Sequence, residues 1–366
     1  MNNVMDIEEL LLIEPYSLAK DQKAELLTTE LKKLTNLHYH NSEKYKRMMD
    51  AIGLNIETIK TYYDLPFLPV RMFKEFELLS VSKEEIVKTM TSSGTTGQQV
   101  SKIFLDRETS SNQTKVLTKI VSDFLGKKRV PMLILDCSAI VKDRNIFSAR
   151  GAGILGFSMF GSKRLYALDE NMKLDIDNIR TFLSEHEGEP IFMFGFTFMI
   201  WQHYYKELLA SGFRPDLSNA ILIHGGGWKK LLSESVSPNE FKCKLNKVCG
   251  IDKNHIHDYY GMVEQTGTIY MECECGHLHA SVFSDVIIRR SSDFSVANIG
   301  EKGIIEVVSI LPKSYPGHAL LTEDEGLILG EDDCPCGRLG KYFQIVGRIK
   351  NAEIRGCSDT YATKFE

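Results

Sequence analysis

The sequence has no run of about eighteen apolar residues, the length that a helix needs to cross a bilayer. Its start lacks the basic region and long apolar core of a signal peptide, so we expect a cytoplasmic protein. Strong charge of either sign is also missing, because 44 basic and 49 acidic side chains leave a net charge of −5. This balance gives no reason to expect nucleic acid or an anionic membrane as a partner. No internal repeat or low-complexity run is visible, which excludes a repeat protein.

What the sequence does contain is an alternation of short β-rich runs and amphipathic stretches. With 43% apolar and 25% charged residues, the composition is that of an ordinary globular protein. The alternation predicts an α/β fold with mixed or parallel sheets flanked by helices. We expect strands at 132–135, 191–194, 221–223 and 304–308, and helices at 109–124, 175–186 and 198–211.

The same patterns divide the chain into four regions. Leucines near helical spacing precede an extended segment that begins at Pro66, and turns and strands become frequent beyond the middle of the chain. The predicted regions are a helical N-terminal extension (1–65), an α/β core (66–264), a β-rich subdomain with paired cysteines (265–346) and a tail that carries Cys357 (347–366).

The strongest local signal is a string of hydroxyl residues and glycines. These residue types let backbone N–H groups and hydroxyls converge on phosphate oxygens without a bulky side chain in the way. A plain turn has a similar composition, and no lysine follows the last glycine directly, as it would in a P-loop. The members of this candidate phosphate loop are Ser92, Ser93, Gly94, Thr95, Thr96 and Gly97.

Three further segments carry groups that suit a nucleotide. A glycine loop follows an apolar run, and such loops bind ligands at the carboxyl ends of strands in α/β sheets. A later turn offers an aromatic ring for a base and a carboxylate for Mg²⁺, and a third segment offers a carboxylate and an arginine for ribose hydroxyls. Each alone is also typical of a tight turn or a solvated surface. The residues are Gly225, Gly226 and Gly227, then Tyr260, Gly261 and Glu264, then Asp324 and Arg348.

Taken together and in this order, the motifs resemble the adenylate-forming superfamily of acyl-CoA synthetases, peptide-synthetase adenylation domains and luciferases. The resemblance spans roughly residues 66–357. It implies the large N-terminal domain of such an enzyme, without the full C-terminal lid, and it implies ATP and Mg²⁺ as cofactors. The implied roles are Mg²⁺ binding for Glu264, ribose binding for Asp324 and Arg348, and adenine binding for Tyr260 and the glycine loop.

Some positions depart from the superfamily pattern. Val263 stands where a threonine that contacts phosphate is usual, and Lys102 lies two residues late for the loop lysine. Related CoA ligases continue past the hinge into a lid with a catalytic lysine, whereas here the hinge glycine is followed at once by Cys357. We therefore expect a partner subunit to supply active-site groups.

This ending resembles the acyl-protein synthetase family of the bioluminescence fatty-acid reductase complex, which carries its acyl group on a cysteine near the C-terminus. The resemblance implies a long-chain fatty acid as substrate, a thioester on Cys357, and acyl reductase and acyl-transferase subunits as partners. Cys357 lies nine residues beyond Arg348, and an extended chain of that length spans at most about 30 Å. Neighbouring Lys350 and Arg355 would favour the thiolate. A tail cysteine without a role is the alternative.

Two Cys-x-Cys-Gly turns suggest a metal site. Four thiolates, or three with a histidine, suit tetrahedral Zn²⁺, although the spacing is shorter than in most zinc knuckles. Reduced thiols that pack as small apolar groups are the alternative. Resemblance to phenylacetate-CoA-ligase-like proteins implies a structural zinc bound by Cys273, His279, Cys334 and Cys336, with Cys275 as an alternative ligand.

An aromatic cluster around residues 192–201 has two interpretations. Phe192, Phe194 and Phe196 alternate as in a strand, and Phe198 and Trp201 then shift toward helical spacing. Packing in the core is the first interpretation, and lining an apolar acyl pocket is the second.

Three functions follow from these observations. The first is an acyl-protein synthetase that activates a carboxylic acid as acyl-AMP and loads Cys357. The second is an acyl- or aryl-CoA ligase of the phenylacetate-CoA-ligase type, and the third is a non-catalytic ATP-binding subunit. A Cys357-dependent acyl adduct formed without CoA would distinguish the first from the second.

Overall fold

The computed structural model describes residues 7–92, 99–142 and 149–349, which build one large sheet with helices packed against it. The helices are α1 (Ile7–Leu10), α2 (Lys20–Asn41), α3 (Glu43–Ala51), α4 (Met72–Glu75), α5 (Arg107–Leu125), α6 (Ala139–Lys142), α7 (Ala149–Phe157), α8 (Ile176–Glu185), α9 (Thr197–Met199), α10 (Lys206–Ser211) and α11 (Pro238–Cys249). Among these helices, none has both the length and the apolar character that a membrane span requires.

The strands follow the same order along the chain. They are β1 (Leu68–Pro69), β2 (Lys88–Thr91), β3 (Lys102–Leu105), β4 (Val130–Cys137), β5 (Gly161–Leu168), β6 (Ile191–Phe196), β7 (Ala220–Gly225), β8 (Ile256–Tyr260), β9 (Tyr270–Glu272), β10 (Leu278–His279), β11 (Ser284–Arg289), β12 (Gly303–Ser309), β13 (Ala319–Glu331) and β14 (Lys341–Arg348). Twelve of them form the large sheet, and β2 pairs with β3 in a separate hairpin.

One half of the large sheet is parallel. Its strands run in the order β5-β4-β6-β7-β8, and each pairs in parallel with its neighbour. All residues of β6 are buried, as expected for a strand covered on both faces. The carboxyl ends of β4, β6, β7 and β8 therefore meet at one edge, where open α/β sheets bind ligands.

The other half of the sheet is antiparallel. It continues from β8 through β9, β10, β14, β13 and β12 to β11, and the short strand β1 pairs in parallel with β13. The sheet is thus continuous from β5 to β11, with the change of direction between β8 and β9. The division into four regions remains a prediction, and residues 350–366 of the tail lie outside the described residues.

The α/β fold class and the individual elements expected from the sequence are confirmed. The four predicted strands correspond to β4, β6, β7 and β12, and the first two predicted helices correspond to α5 and α8. The third runs from α9 to α10 through a π-helical turn at Ile200–Tyr205.

The prediction of helix over the whole N-terminal region is wrong in part. Within residues 7–65, α-helix is found in the short α1 and in α2 and α3, and 3-10 turns at Ile56–Thr58 and Tyr62–Asp64 follow. The helix ends near Gly53, whose φ of 67° lies in the left-handed region that glycine adopts without strain.

A buried charge network fastens this N-terminal region to the sheet. Asp285 of β11 is 1% exposed, and its carboxylate lies 3.3 Å from Nζ of Lys23 on α2 and 2.9 Å from Nζ of Lys341 on β14. The Tyr62 hydroxyl also donates to it. Burial alone would raise the pKa of Asp285, but the two ammonium groups lower it to about 2. Because both oxygens are paired, the buried charge is tolerated.

We expect Asp285→Ala to lower the free energy of unfolding by about 3–5 kcal/mol, because two buried ammonium groups lose their counter-ion. Since the carboxyl pKa falls on folding, its contribution is present above the ordinary value of 3.8 and is lost as pH falls toward 2. Urea unfolding between pH 2 and 7 measures both effects. Asp177→Ala, which removes an exposed partner of Arg180, is the control and should change little. Equal losses for both variants would contradict this account.

Candidate functional site

Three of the predicted nucleotide-binding residues meet at one corner of the sheet. Tyr260 is the last residue of β8, and the register of β13 and β14 places Asp324 opposite Arg348. The Tyr260 hydroxyl donates to Oδ2 of Asp324 over 2.8 Å, and Nε of Arg348 lies 3.3 Å from Oδ1. Residues far apart in the sequence thus share one carboxylate, which we call the Tyr260–Asp324–Arg348 corner.

Tyr260 is uncharged in this corner. Burial and the neighbouring Asp324 carboxylate raise the pKa of Tyr260, so its hydroxyl stays a neutral donor. Arg348 is partly exposed, and its guanidinium also lies 3.7 Å from Glu323. A carboxylate fixed by a tyrosine on one side and an arginine on the other can accept hydrogen bonds from a diol such as a ribose.

Glu264 lies in the turn that follows Tyr260. It belongs to the 3-10 helix Val263–Gln265 and is 7% exposed. Its backbone carbonyl accepts a hydrogen bond of 3.0 Å from the Tyr315 hydroxyl, which fixes the turn. Burial raises the pKa of the Glu264 carboxyl, and the nearby Ser101 hydroxyl opposes that shift. A buried carboxylate held in this way is a suitable ligand for a hard cation such as Mg²⁺.

The neck of the predicted phosphate loop lies beside Glu264. The β2–β3 hairpin leads into and out of the loop, and Ser92 N donates to the Ser101 carbonyl over 3.1 Å. Ser101 N in turn donates to Ser92 Oγ over 2.9 Å. Ser93, Gly94, Thr95, Thr96 and Gly97 lie outside the described residues.

Sequence reasoning missed Ser101, which is hydrogen-bonded to the loop neck at Ser92 and lies near Glu264. A serine a few residues after the loop carries no signal of its own, because only the hairpin pairing brings it back to Ser92. The two departures from the superfamily pattern lie close by. Val263 is half-buried against the core, and Lys102 is exposed on β3 opposite Thr91.

The glycine loop begins at the carboxyl end of β7. Gly225 is the last residue of the strand, and a Cβ there would lie 2.5 Å from the Tyr259 ring. Gly226 has a φ of 76°, in the left-handed region. A Cβ at Gly227 would meet no atom within 4 Å. Glycine is therefore required at the first two positions for different reasons, close approach at one and backbone conformation at the other.

The loop is braced by a pair that the sequence did not reveal. Thr197 Oγ1 lies 2.9 Å from Nδ1 of buried His224 and donates to the Gly225 carbonyl over 3.2 Å. Burial lowers the pKa of His224 to about 3, so the ring is neutral. This places a fixed hydroxyl at the end of β6 against the start of the glycine loop.

The aromatic cluster packs in the core, as its first interpretation predicts. Phe192, Phe194 and Phe196 are each at most 2% exposed, and Trp201 is buried in a second cluster on the other face. The Phe194 ring stacks on Phe157 of α7 with 4.2 Å between centroids. These rings form an apolar wall under the glycine loop.

The two Cys-x-Cys-Gly turns come together at the opposite end of the β13–β14 hairpin. The ligand atoms of Cys273, His279, Cys334 and Cys336 all lie within 4.8 Å of one another. Sγ of Cys273 lies 3.9 Å from Sγ of Cys334, and Sγ of Cys336 lies 3.4 Å from Nε2 of His279. Two sulfurs that bind one tetrahedral Zn²⁺ at 2.3 Å are about 3.8 Å apart. The cluster can therefore hold a metal ion.

The turns themselves explain which thiols point inward. Each ends in a glycine, Gly276 or Gly337, with a φ of 81°. Cys275, the alternative ligand, is exposed, and the nearby His277 stacks on Tyr342 with Nδ1 at 3.3 Å from Cys334. Burial raises the pKa of Cys334 to about 11, so without a cation this thiol stays protonated.

The described cysteines outside the cluster lie in or near the core. Cys137 and Cys249 are buried and Cys243 is half-buried. Cys357, the predicted acyl carrier, lies outside the described residues.

The chain is similar to known proteins over nearly its whole length. The family model described as "Acyl-protein synthetase, LuxE" matches residues 2–366. A long-chain-fatty-acid–luciferin-component ligase of Vibrio harveyi is 22% identical over 378 residues, which cover 98% of this chain and 94% of that protein. The ligase of the same name from Aliivibrio fischeri is 22% identical over 374 residues, with coverage of 99% and 94%.

Solved structures agree on the fold. A 2-hydroxyisobutyryl-CoA ligase in the postadenylation state with 2-HIB-AMP has a TM-score of 0.69 and 14% identity, and the match covers 92% of this chain and 70% of that one. The open conformation of that ligase with 2-HIB-AMP and CoA has a TM-score of 0.70 and 14% identity, with coverage of 94% and 79%. The fold is therefore that of adenylate-forming ligases.

The glycine loop yields a stability prediction. Gly225→Ala should lower the free energy of unfolding by about 1–3 kcal/mol, because the added methyl group pushes into the Tyr259 ring. Gly227→Ala is the matched control and should leave the unfolding midpoint nearly unchanged, since nothing lies within 4 Å of its Cβ position. Chemical denaturation measures both variants. If Gly227→Ala were the more destabilised, the described loop geometry would be wrong.

Proposed function

The chain belongs to the acyl-protein synthetase LuxE family, a family of ligases, and from this premise we propose that it forms an acyl-AMP and transfers the acyl group to Cys357. A long-chain fatty acid is the proposed substrate, because both curated relatives are named for that acid. An acyl reductase subunit is the proposed receiver of the acyl group. We also propose a cytoplasmic location, because the described cysteines are free thiols, as is usual in a reducing compartment.

The observation that carries this proposal is the placement of Glu264 next to the Tyr260–Asp324–Arg348 corner. A ribose bound at Asp324 would put the phosphates of ATP toward Glu264 and the neck of the phosphate loop at Ser92. Adenine would lie near the glycine loop at Gly225. The glycine loop, the Tyr260–Asp324–Arg348 corner, Glu264 and the loop neck at Ser92 are four neighbouring groups suited to base, ribose, metal and phosphates, which supports one nucleotide site.

In the first half-reaction the carboxylate of the fatty acid attacks the α-phosphorus of ATP, and pyrophosphate leaves. The acid is already ionised near neutral pH, so no general base is needed. Catalysis is therefore mainly alignment of the two reactants and neutralisation of phosphate charge. We propose that Glu264 holds the Mg²⁺ that accompanies ATP, which supplies part of that neutralisation.

In the second half-reaction the Cys357 thiolate attacks the acyl carbonyl carbon, the C–O bond to phosphate breaks, and AMP leaves. The product is a thioester on the protein. Cys357 is eight residues beyond Ile349, the last described residue, and that length spans at most about 29 Å. Ile349 N donates to the Glu323 carbonyl, next to Asp324, so the tail starts beside the proposed ribose site.

We also propose a structural Zn²⁺ in the cluster of Cys273, His279, Cys334 and Cys336. Three thiolates and one imidazole are the donor set that zinc prefers, and the closeness of the four side chains supports this choice. The ion would fasten the turn after β9 to the turn after β13.

The acyl transfer is tested with Cys357→Ser. We expect this variant to keep acid-dependent ATP–pyrophosphate exchange, because adenylation does not use the thiol, and to lose the acyl adduct seen by intact-mass spectrometry. Cys243→Ser, which removes a half-buried thiol on α11, is the control and should keep both.

Two outcomes would overturn parts of the proposal. If the wild-type chain with its natural partners never exchanges pyrophosphate with any fatty acid, adenylation itself is wrong. If exchange occurs but the acyl group appears only on added CoA, the CoA-ligase alternative replaces transfer to Cys357.

The zinc proposal predicts about one metal ion per chain by mass spectrometry of metals. Cys334→Ser should lose most of it, because its sulfur lies inside the cluster. Cys275→Ser should keep it, because that thiol is exposed next to the same turn. Retention in Cys334→Ser together with loss in Cys275→Ser would show that the ligand set is wrong.

A further inference from the structure

Resting on the zinc site proposed above, we infer that Arg338 is a positioning residue that holds the two Cys-x-Cys turns together. Arg338 follows Cys336 by two residues, and its partner Glu274 stands between Cys273 and Cys275. By holding the turns together, Arg338 would raise the affinity of the cluster for its metal.

The first support is a forked ion pair between the turns. Nη1 of Arg338 donates to Oε2 of Glu274 over 2.7 Å, and Nη2 lies 3.4 Å from Oε1. Such a pair fixes both distance and orientation, which a single point charge does not. It therefore connects the turn after β9 to the turn after β13 without a metal ion.

The second support is that the guanidinium is itself held from outside the turns. Its Nε donates to Asp123 near the end of α5 over 3.1 Å. Its carbon lies 4.4 Å from the centre of the Phe124 ring and 5.7 Å from that of Tyr16. With only 14% of the side chain exposed, Arg338 is held by the end of α5 and by Tyr16 as well as by Glu274, and so links the position of α5 to the turns.

The third support is its position at the accessible side of the cluster. Cys336 is the only one of the four ligands that lines a cavity of about 430 Å³, which it shares with Glu14, Asp123, Glu274 and Arg338. Arg338 therefore lies on the cavity side of Cys336 while it bridges to Glu274.

These contacts would favour metal binding because they position the ligands. The bridge keeps the pair Cys334 and Cys336 opposite Cys273 and His279, so the ordering of the turns is complete before the ion arrives. Groups that orient metal ligands in this way change metal affinity by about 10–100-fold when they are removed.

The test measures zinc affinity of the full chain by competition with a chromogenic chelator after removal of bound metal under reducing conditions. We expect Arg338→Gln to weaken zinc binding by about ten-fold or more. Arg338→Lys should recover only part of the loss, because an ammonium keeps the charge but lacks the fork. Arg290→Gln is the matched control, since Arg290 makes a comparable forked pair with Glu301 at 2.7 and 2.6 Å in a loop away from the cluster.

A second variant separates positioning from a general loss of stability. If Arg338 acts through Glu274, Glu274→Gln should weaken zinc binding, and the double variant should be no weaker than Arg338→Gln alone. Arg338→Gln with wild-type zinc affinity, or the same loss in Arg290→Gln, would overturn the inference. If the wild-type chain itself binds no zinc, both the zinc proposal and this inference are wrong. If the wild-type chain binds zinc and only the Arg338 variants behave otherwise than expected, this inference alone is wrong.

Discussion

The antiparallel pairing of β13 with β14 positions both candidate sites of the protein. Its register sets Asp324 opposite Arg348 at one end and Glu331 opposite Lys341 at the other. The nucleotide corner therefore lies at one end of the hairpin and the cysteine cluster at its turn. Because a slip of one residue would send every side chain to the opposite face, both sites depend on the same set of backbone hydrogen bonds.

Buried charges hold that hairpin in place. Lys341 begins β14 and pairs with Asp285 of β11, which also binds Lys23 of the N-terminal region. A carboxylate taken out of water is stable only when its oxygens are paired, so Asp285 accepts from both lysines and from Tyr62. The N-terminal helices are thus fastened to the strands that carry the site.

The chemistry proposed for the site fits this rigid construction. Attack of a carboxylate on phosphorus needs little proton transfer, so the protein contributes mainly fixed positions. Tyr260 stands at the end of β8, Asp324 lies within β13, and Glu264 lies in a short turn that Tyr315 braces from the side. Supporting residues of this kind are individually unremarkable in sequence, and their value lies in where the fold places them.

Local sequence patterns are enough to predict the fold class and the strands β4, β6, β7 and β12, and they supply the residues proposed for the site. These predictions rest on local periodicity and on the positions of glycines. Glycine is required at Gly225 and Gly226 by the loop's own backbone and by the neighbouring strand. Tertiary structure alone decided that Ser101 returns to Ser92 beside Glu264, that Thr197 braces the glycine loop, and that Arg338 meets Glu274. The N-terminal helices end near Gly53, whose left-handed backbone is a local stop, although the sequence predicted a longer helical region. Contacts between strands are set by sheet register over long sequence separations, and no local pattern of residues encodes which distant partner a side chain will meet.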